Sequence, residues 1–374
     1  MRQRQNTNRK HNKCHLRTKT LIKIAGLNIK GHGSINIEHA SNKWGDICLM
    51  MLDHQIGILV VGEAHMNTER CDDIERKYGK DLKLFYTKLP DTPNAAGVAI
   101  VLNRNKTNIE GIQTHEIVPG HAMLLKYYWH NKEKLSVLAI YAPNADMTLN
   151  ANFWLKIQNF FNCHPQIRKP DIMVGDCNMV EEPLDRLPAR SNATLAVDAL
   201  DELKSTIQVL NGWRNTYPTS MKYMYKQKRS DQITRHSRLD RIYINPEKMP
   251  YTFKWKIESP GVATDHDLVS VCYTCEAAPT TGAGRWILPN HLMYDSTIKK
   301  FFDDENKHME LEVQRIAEKD EWDPSDNHQT IWSDFKIRFI ELARKRAKIV
   351  VPKLTKQIAT LETKIDNISP NLRG

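Results

Sequence analysis

The sequence predicts an α/β fold: a sandwich of two stacked, mixed β-sheets flanked by helices and followed by a helical C-terminal extension. Short apolar runs recur along most of the chain, and segments with helical periodicity separate them. After residue 276 the pattern becomes polar and helical. A chain of 374 residues, of which 40% are hydrophobic, can bury one large core and carry an appendage.

The apolar runs predict eight strands, because short runs of this kind bounded by polar or turn residues are typical of buried strands. These strands are expected near residues 22 to 28, 58 to 62, 97 to 102, 122 to 129, 135 to 141, 171 to 176, 240 to 244 and 268 to 275. Helical periodicity predicts helices near residues 36 to 53, 149 to 162 and 196 to 210.

Polar residues with useful chemistry stand at the ends of six of these strands. They are Asn28, Glu63, Tyr141 with Asn144, Asp176 with Asn178, Asp240, and Asp265 with His266. These residue types bind a hard divalent cation, orient a phosphate and move a proton. We therefore expect them to converge at one edge of the two sheets.

The segment DIMVGDCN, residues 171 to 178, has two interpretations. Gly175 allows a tight turn or a close backbone approach. If strand geometry persisted, Asp176 and Asn178 would share one face and could hold a water or a phosphate. Alternatively, the two side chains form an Asx turn and bind only local backbone. The matching chemistry of the other five strand ends favours the first interpretation.

The carboxylate of Glu63 is the member of this set least easily explained as structure. It follows the apolar run ILVVG, so it has to be solvated, paired or metal-bound. By contrast, His32, His65 and His115 have no predicted partner and are interpreted as surface or internally satisfied histidines.

Taken in order, the segments resemble the endonuclease/exonuclease/phosphatase superfamily, which includes AP endonucleases, deoxyribonuclease I-like nucleases and LINE-type (non-LTR) retrotransposon endonucleases. The resemblance runs from Ile22 to Cys275. It rests on the ordered segments LNIKG, VVGEAH, IYAPNA, MVGDCN, RLDRIYI and TDHDLVSV. It implies the four-layer α/β sandwich of deoxyribonuclease I.

The resemblance also implies a metal site. Glu63 would hold Mg²⁺, or Mn²⁺ in its place, helped by Asp265 and Asn28. One position departs from the AP endonucleases: where they carry an acidic residue, two positions after Asn28, this chain has Lys30. A lysine there would repel a metal and bind a DNA phosphate, which argues against AP-site repair and leaves nicking chemistry possible.

The remaining roles that the resemblance implies concern the phosphodiester itself. His266, oriented by Asp240, would contact the scissile phosphate or take a proton from the attacking water. Asp176 would position or deprotonate that water, or protonate the leaving oxygen. The phosphate oxygens would be held by Asn178, Asn144 and Tyr141.

Composition indicates a polyanionic partner. The net charge is +10 and the pI is near 9.1. The first twenty residues hold seven Lys or Arg and no acid, which indicates a disordered basic arm for DNA and also RNA, or else a solubilising tail or spurious extension. Residues 212 to 238 mix aromatic and basic residues, as a DNA-binding surface would, although aromatic core packing explains any single one equally well.

Seven scattered cysteines, with no long apolar stretch and no signal-peptide core, predict an intracellular protein without a disulfide framework or a zinc site. The family resemblance implies that the protein acts in the nucleus, on chromosomal DNA.

Four regions are expected: a basic arm at 1 to 20, the nuclease-like domain at 21 to 276, a linker at 277 to 289 and a mainly helical region at 290 to 374. In the last region, Ser333 or Asp334 is expected to cap an amphipathic helix. The GRW segment after the linker resembles the join between a LINE-type endonuclease and its reverse transcriptase. No reverse-transcriptase body follows, so the chain resembles the front of a retrotransposon polyprotein.

The leading hypothesis is thus a Mg²⁺-dependent endonuclease that nicks duplex DNA and leaves a 3′ hydroxyl. One alternative keeps the fold and changes the substrate to an AP site or another phosphoester. The other is a catalytically inactive nucleic-acid-binding remnant.

Overall fold

The computed structural model describes residues 18–90, 96–129, 133–229, 232–281, 286–319 and 321–368. The chain divides into two compact units, Met1–Gly282 and Ala283–Gly374. Most of the predicted basic arm lies outside the described residues, but Thr18–Lys19 forms a strand, β1, that pairs with Thr280–Thr281. The last residues of the predicted arm and part of the expected linker are thus paired strands, because the two segments satisfy each other's backbone hydrogen bonds.

The first unit contains two six-stranded sheets. In chain order, the strands of the first sheet are β2 Ile22–Asn28, β3 Ile56–Gly62, β4 Leu82–Thr87, β5 Val98–Asn103, β15 Thr252–Glu258 and β16 Leu268–Tyr273. Those of the second are β6 Gln113–Val118, β7 Ala122–Tyr128, β8 Lys134–Tyr141, β9 Ile172–Asp176, β11 Leu210–Asn211 and β14 Asp240–Ile244. Both sheets are mixed, since β2 pairs with β3 and β8 with β9 in parallel while their other pairs are antiparallel.

The strands are apolar throughout because both faces of each sheet are covered. In β2, Ile24 packs between the sheets, while its neighbours Ala25 and Leu27 belong to the cluster on the outer face. The helices that cover the outer faces are α1 Trp44–Asp53 and α2 Thr68–Tyr78 on the first sheet, and α3 Met147–Cys163 and α4 Thr194–Ile207 on the second. This is the predicted four-layer α/β sandwich.

The strand register brings the polar strand ends together. Asp176 at the end of β9 lies opposite both Tyr141 of β8 and Asp240 of β14. In the other sheet, Asn28 of β2 lies opposite Gly62, the residue before Glu63. The ends of the central strands of both sheets therefore meet at one edge.

Local side-chain hydrogen bonds shorten the first predicted helix. It was expected to begin near residue 36, but α1 begins at Trp44. Asn36 accepts a hydrogen bond from the backbone N–H of Glu38, and Asn42 accepts one from the N–H of Trp44. Such bonds compete with helix formation, so the preceding residues form turns.

Elements without strong apolar periodicity were not predicted. Besides α2, β4, β6 and β15, they include a short helix, α5, at Gly212–Thr216. They also include a three-stranded sheet made of β10 Arg186–Leu187, β12 Tyr225–Arg229 and β13 Gln232–Ser237.

The second unit is built on two helices, α6 Ser296–Ala317 and α7 His328–Ile368. Phe301 and Phe302 of α6 pack against Phe335 and Phe339 of α7. The predicted cap at Ser333 or Asp334 is wrong: the helix begins earlier, where the Asn327 side chain accepts from the N–H groups of residues 329 and 330. Among the described residues, no helix is both long and apolar enough to cross a bilayer.

Candidate active site

The side chain of Asn28 links the two sheets at the edge where their strand ends meet. Its buried amide donates from Nδ2 to Oε1 of Glu63 at 3.0 Å and to Oδ2 of Asp176 at 2.9 Å. The backbone N–H of Lys30 donates to Oδ1 of Asn28 at 2.9 Å. Because an N–H can only donate, this contact fixes the orientation of the amide.

Glu63 is anchored through one of its two carboxylate oxygens. The Tyr141 hydroxyl donates to the same Oε1 at 3.0 Å. No hydrogen-bond donor of the described residues reaches Oε2. The backbone of Glu63 has a φ of +49°, and Lys30 and Asn178 are also left-handed, at +51° and +50°. Such conformations are costly for residues other than glycine and concentrate at functional sites.

Of the two interpretations of the DIMVGDCN segment, the structure shows the turn: the strand ends at Asp176, and the Asn178 amide donates from Nδ2 to the Ala142 carbonyl at 2.8 Å. The backbone N–H of Asn178 donates to Oδ1 of Asp176 at 2.8 Å, which is the Asx turn. The other oxygen of Asp176 faces Asn28, inside the network. Burial and the nearby Asp240 carboxylate raise the pKa of Asp176 to about 6. Asp176 is therefore a carboxylate that can exchange a proton near neutral pH.

His266 and Asp240 form a buried pair in which Nδ1 and Oδ2 lie 2.6 Å apart. Burial alone would lower the pKa of His266, but the Asp240 carboxylate outweighs it and raises this pKa to about 9. The second oxygen of Asp240, Oδ1, is buried and accepts no hydrogen bond from the described residues.

Asp265 and Lys30 form an ion pair with each other. The Lys30 Nζ lies 2.8 Å from Oδ2 of Asp265, with side-chain exposures of 65% and 28%. Burial would raise the pKa of Asp265, but the hydrogen bond from Lys30 and the charge of His266 lower it. The predicted metal ligand and the predicted phosphate ligand are thus joined in an ion pair at the mouth of the site.

The donors at this edge fit a divalent cation. Asp240 Oδ1 is a buried carboxylate oxygen without a hydrogen-bond partner in the described part of the chain, and both hydrogen bonds that Glu63 accepts there go to Oε1, not to Oε2. One ligand atom from each of Asp176, Asp240 and His266 lies within 4.8 Å of the other two, so this buried group could also hold a metal ion. Hard cations such as Mg²⁺ take oxygen ligands and need only one or two carboxylates.

Solved structures share this architecture. The AP endonuclease LMAP from Leishmania major superposes with a TM-score of 0.56 at 13% identity, over 68% of this chain and 88% of that one. The 3′ phosphatase NExo from Neisseria, bound to a product DNA hairpin, gives 0.52 at 13% identity, over 68% and 100%. The endonuclease domain of TRAS1, a telomere-specific non-LTR retrotransposon, gives 0.49 at 8% identity, over 68% and 99%. No family model and no curated protein matches the sequence.

The chain has the endonuclease/exonuclease/phosphatase fold. This fold was predicted from the ordered segments, and the likeness to LMAP and NExo confirms it.

Within the endonuclease/exonuclease/phosphatase fold, the structure places most of the predicted residues in one cluster. The hydrogen-bonded network and the two ion pairs contain Asn28, Glu63, Tyr141, Asp176, Asn178, Asp240, His266, Lys30 and Asp265. Asn144 is exposed, and no hydrogen bond of its side chain joins it to this network among the described residues.

The predicted DNA-binding run at 212 to 238 is only partly on the surface. Trp213 is in the core between the sheets. Arg238 is fully buried and Arg214 nearly so, and both pair with the carboxylate of Asp185. These two arginines hold a buried acid rather than a phosphate, so the expectation is wrong for them. Of the basic side chains in this run, the structure shows Lys222, Lys226 and Arg235 to be exposed.

Two further residues touch the network, and the sequence reasoning assigned neither of them to the site. The Thr264 hydroxyl donates to the backbone oxygen of Asn28 at 2.8 Å and accepts from the N–H of His266 at 3.3 Å. The ring of Tyr225 lies 4.9 Å from that of His266. Thr264 directly precedes the Asp-His segment, so its position could have suggested it, whereas Tyr225 reaches the site only through the pairing of its strand.

Proposed function

We propose that this protein is a Mg²⁺-dependent endonuclease that nicks duplex DNA by hydrolysis and leaves a 3′ hydroxyl. The observation that carries the proposal is the joining of Glu63, Asp176 and the His266–Asp240 pair at one edge of the two sheets. A phosphodiester is negatively charged and its leaving oxygen is poor, so hydrolysis needs a cation, a proton-transferring group and donors to the phosphate oxygens.

Glu63 is the residue best placed to hold Mg²⁺, or Mn²⁺ in its place, because Asn28 and Tyr141 fix one carboxylate oxygen and leave the other for a ligand. Bound there, the cation would offset negative charge on the phosphate. Asp265 would join it only after the ion pair with Lys30 opens.

The phosphate-contacting role suits His266 better than the role of base. Asp240 holds Nδ1 and favours the charged imidazolium, which donates hydrogen bonds and has no lone pair for a proton. His266 would therefore donate from Nε2 to a phosphate oxygen. Asp176 would take the proton from the attacking water or return one to the leaving oxygen.

The neutral donors would complete the phosphate site. Asn178 sits beside Asp176, and Asn144 is exposed at the same strand end as Tyr141. An amide donates to phosphate oxygens without adding negative charge. Once Lys30 leaves Asp265, its ammonium would bind a phosphate of the DNA.

The proposal is tested with supercoiled plasmid. Wild type and Mg²⁺ should give open circles that a DNA polymerase extends directly from a 3′ hydroxyl, and EDTA should abolish nicking. Asp176→Asn and His266→Gln should each lower the nicking rate roughly a thousandfold. Asp53→Asn is the matched control, since Asp53 is exposed at the end of α1, before β3 begins and away from the catalytic edge. The proposal fails if wild type nicks no more than Asp176→Asn.

A second candidate is a phosphoesterase of the same fold that acts on an AP site or a terminal phosphate. It is favoured by LMAP and NExo, an AP endonuclease and a 3′ phosphatase with this fold. Hydrolysis of AP-site or 3′-phosphate oligonucleotides, without nicking of intact duplex, would select it. DNA binding that is steeply salt-dependent, with no cleavage of any substrate, would instead indicate an inactive binding module.

A further inference from the structure

A cleft of about 470 Å³ opens beside the hydrogen-bonded network of the candidate site. The mechanism proposed for that site gives the cleft no role. Asn178 and Tyr225 form its border with the network. Three arginines line it: Arg186 on β10, Arg190 just after it, and Arg235 on β13. We call this cavity the arginine cleft.

The arginine cleft concentrates positive charge that the described residues do not neutralise. None of its three guanidinium groups makes an ion pair with a carboxylate of the described part of the chain. Within the described ranges, the one hydrogen bond of these guanidinium groups has a neutral acceptor: Nε of Arg186 donates to the Ser237 hydroxyl at 3.3 Å. Burial lowers the pKa of Arg186, and the charges of Arg190, Arg235 and the buried Arg241 lower it further, as neighbouring cations do.

The acid nearest in sequence cannot relieve this repulsion. Asp185 immediately precedes Arg186, but its two carboxylate oxygens are taken by Arg214 and Arg238. The ion cluster around Asp185 therefore fixes the start of the segment that carries Arg186 and leaves the cleft positive. Neighbouring cations without an acid repel one another, and an anion that joins them relieves this repulsion.

The chemistry of the cleft suits a phosphate on a nucleic acid strand. A guanidinium offers a planar fork of donors that matches phosphate oxygens. The apolar surface of Pro188 and Leu239 also lines the cleft and suits the carbon face of a sugar. Since Asn178 and Tyr225 belong both to the cleft and to the edge of the catalytic network, a strand crossing the network continues directly into the cleft.

We propose that Arg186, Arg190 and Arg235 bind the phosphate next to the scissile one in the same DNA strand. The identity of the ligand as DNA rests on the proposed function. The consequence is a preference for internal phosphodiesters, which have a neighbouring phosphate, over small or terminal phosphate esters, which have none.

The first test measures binding without cleavage. In EDTA, the affinity of a fluorescent 20-base-pair duplex is followed against salt for wild type and for the double variant Arg186→Gln/Arg235→Gln. Losing one phosphate contact should reduce the slope of log K against log salt by about 0.9. Arg186→Lys/Arg235→Lys should restore part of it. Arg104→Gln is the matched control, because Arg104 is equally half-buried and also donates through Nε, to the Leu82 carbonyl.

The second test compares two substrates in Mg²⁺. The double glutamine variant should nick plasmid roughly tenfold more slowly than wild type. It should hydrolyse bis(p-nitrophenyl) phosphate, which has no neighbouring phosphate, at the wild-type rate. Equal losses on both substrates, or an unchanged salt slope, would overturn the inference. A wild type that cleaves neither substrate would overturn the proposed function alone, because the salt slope still decides whether the cleft binds a DNA phosphate.

Discussion

At the residue scale, each reactive group of the candidate site is held by a partner from a distant part of the chain. Glu63 lies between Asn28 and Tyr141, and His266 lies against Asp240. Groups fixed in this way need little rearrangement when charge develops on a substrate, which is how a polar site gains catalytic power. The hydrogen bonds to Glu63 should therefore matter for metal use as well as for rate.

Tyr141→Phe tests this anchoring. The variant removes the hydroxyl that donates to Glu63 but keeps the ring, which stacks on His121 at 5.8 Å. Nicking should fall roughly tenfold, since a hydrogen bond to a charged group is lost, and half-maximal nicking should need more Mg²⁺. The measurement is the plasmid nicking rate across a Mg²⁺ series. Tyr217→Phe, at a tyrosine that is 40% exposed, is the control. An unchanged Mg²⁺ dependence would show that the hydroxyl does not position Glu63.

Lys30→Met tests the ion pair at the mouth of the site. Freed from Lys30, the Asp265 carboxylate should join the cation, so Mn²⁺ binding to the protein alone should tighten roughly fivefold. DNA affinity at low salt should weaken, because a phosphate-binding cation is removed. Electron paramagnetic resonance of free Mn²⁺ and a DNA titration measure the two effects. Weaker Mn²⁺ binding would contradict the assignment of Asp265 as a ligand.

At the element scale, the edge that holds the candidate site depends on how closely β9 approaches β8. Gly175 has a φ of +146°, and a Cβ added there would lie 1.9 Å from the carbonyl oxygen of Ile140. Only glycine permits this approach, which sets Asp176 at the end of its strand.

Gly175→Ala should therefore reduce the free energy of unfolding by about 3 kcal/mol, because the backbone has to shift. Urea denaturation, followed through a signal from the first unit, measures the loss. The control is Gly261→Ala, where φ is +71° but no atom lies within 4 Å of the added Cβ, so that only the backbone cost of ~1 kcal/mol applies. Equal losses at the two positions would show that the contact with Ile140 is relieved without cost.

An ion cluster joins β2, β15 and the residue after α1, and it makes stability depend on pH. The hydrogen bond with His54 and the charge of Lys23 outweigh burial and lower the pKa of Glu258 to about 2. Because the folded-state pKa lies below the unfolded value of about 4.3, the contribution is fully present above pH ~4.3. It is lost as the pH falls through about 2.

Glu258→Gln should thus be less stable than wild type by ~2 kcal/mol at pH 7, and the difference should shrink between pH ~4.3 and ~2. Urea midpoints across this range measure it. Glu110→Gln, at an exposed glutamate, should show no such trend. A difference that stays constant down to pH ~2 would mean that the cluster does not lower the pKa of this carboxyl.

At the scale of the whole molecule, the candidate site belongs entirely to the first compact unit. All residues of the network lie between Asn28 and His266, and the strand that pairs with β1, Thr280–Thr281, ends at Thr281. The second unit has its own aromatic contacts between α6 and α7.

A chain that ends at residue 282 should therefore keep its thermal midpoint and, on the proposed function, nick plasmid within roughly twofold of the full chain. Circular dichroism and the plasmid assay measure the two properties. Loss of the fold, or loss of nicking in a folded truncation, would show that residues 283 to 374 support the first unit.

Much of the architecture was predictable from the sequence because its strands are buried on both faces. Runs such as residues 58 to 62 are apolar at every position, so the central strands of both sheets were located to within a few residues. Strands with weaker patterns were not predicted. In β6 and β15 the buried and exposed positions alternate irregularly. The strands β12 and β13 form because they pair with each other. For such segments, tertiary contacts rather than intrinsic preference determine the structure.

The sequence by itself determined which residue types stand at the strand ends, because strand ends and buried runs are local properties. Only the tertiary structure decided their partners: that Asn28 bridges Glu63 and Asp176, that Lys30 neutralises Asp265, and that Arg186 lies with two other arginines in one cleft. These contacts join residues up to 235 positions apart. Distance along a chain carries no information about such proximity until sheet pairing and packing bring the strand ends together.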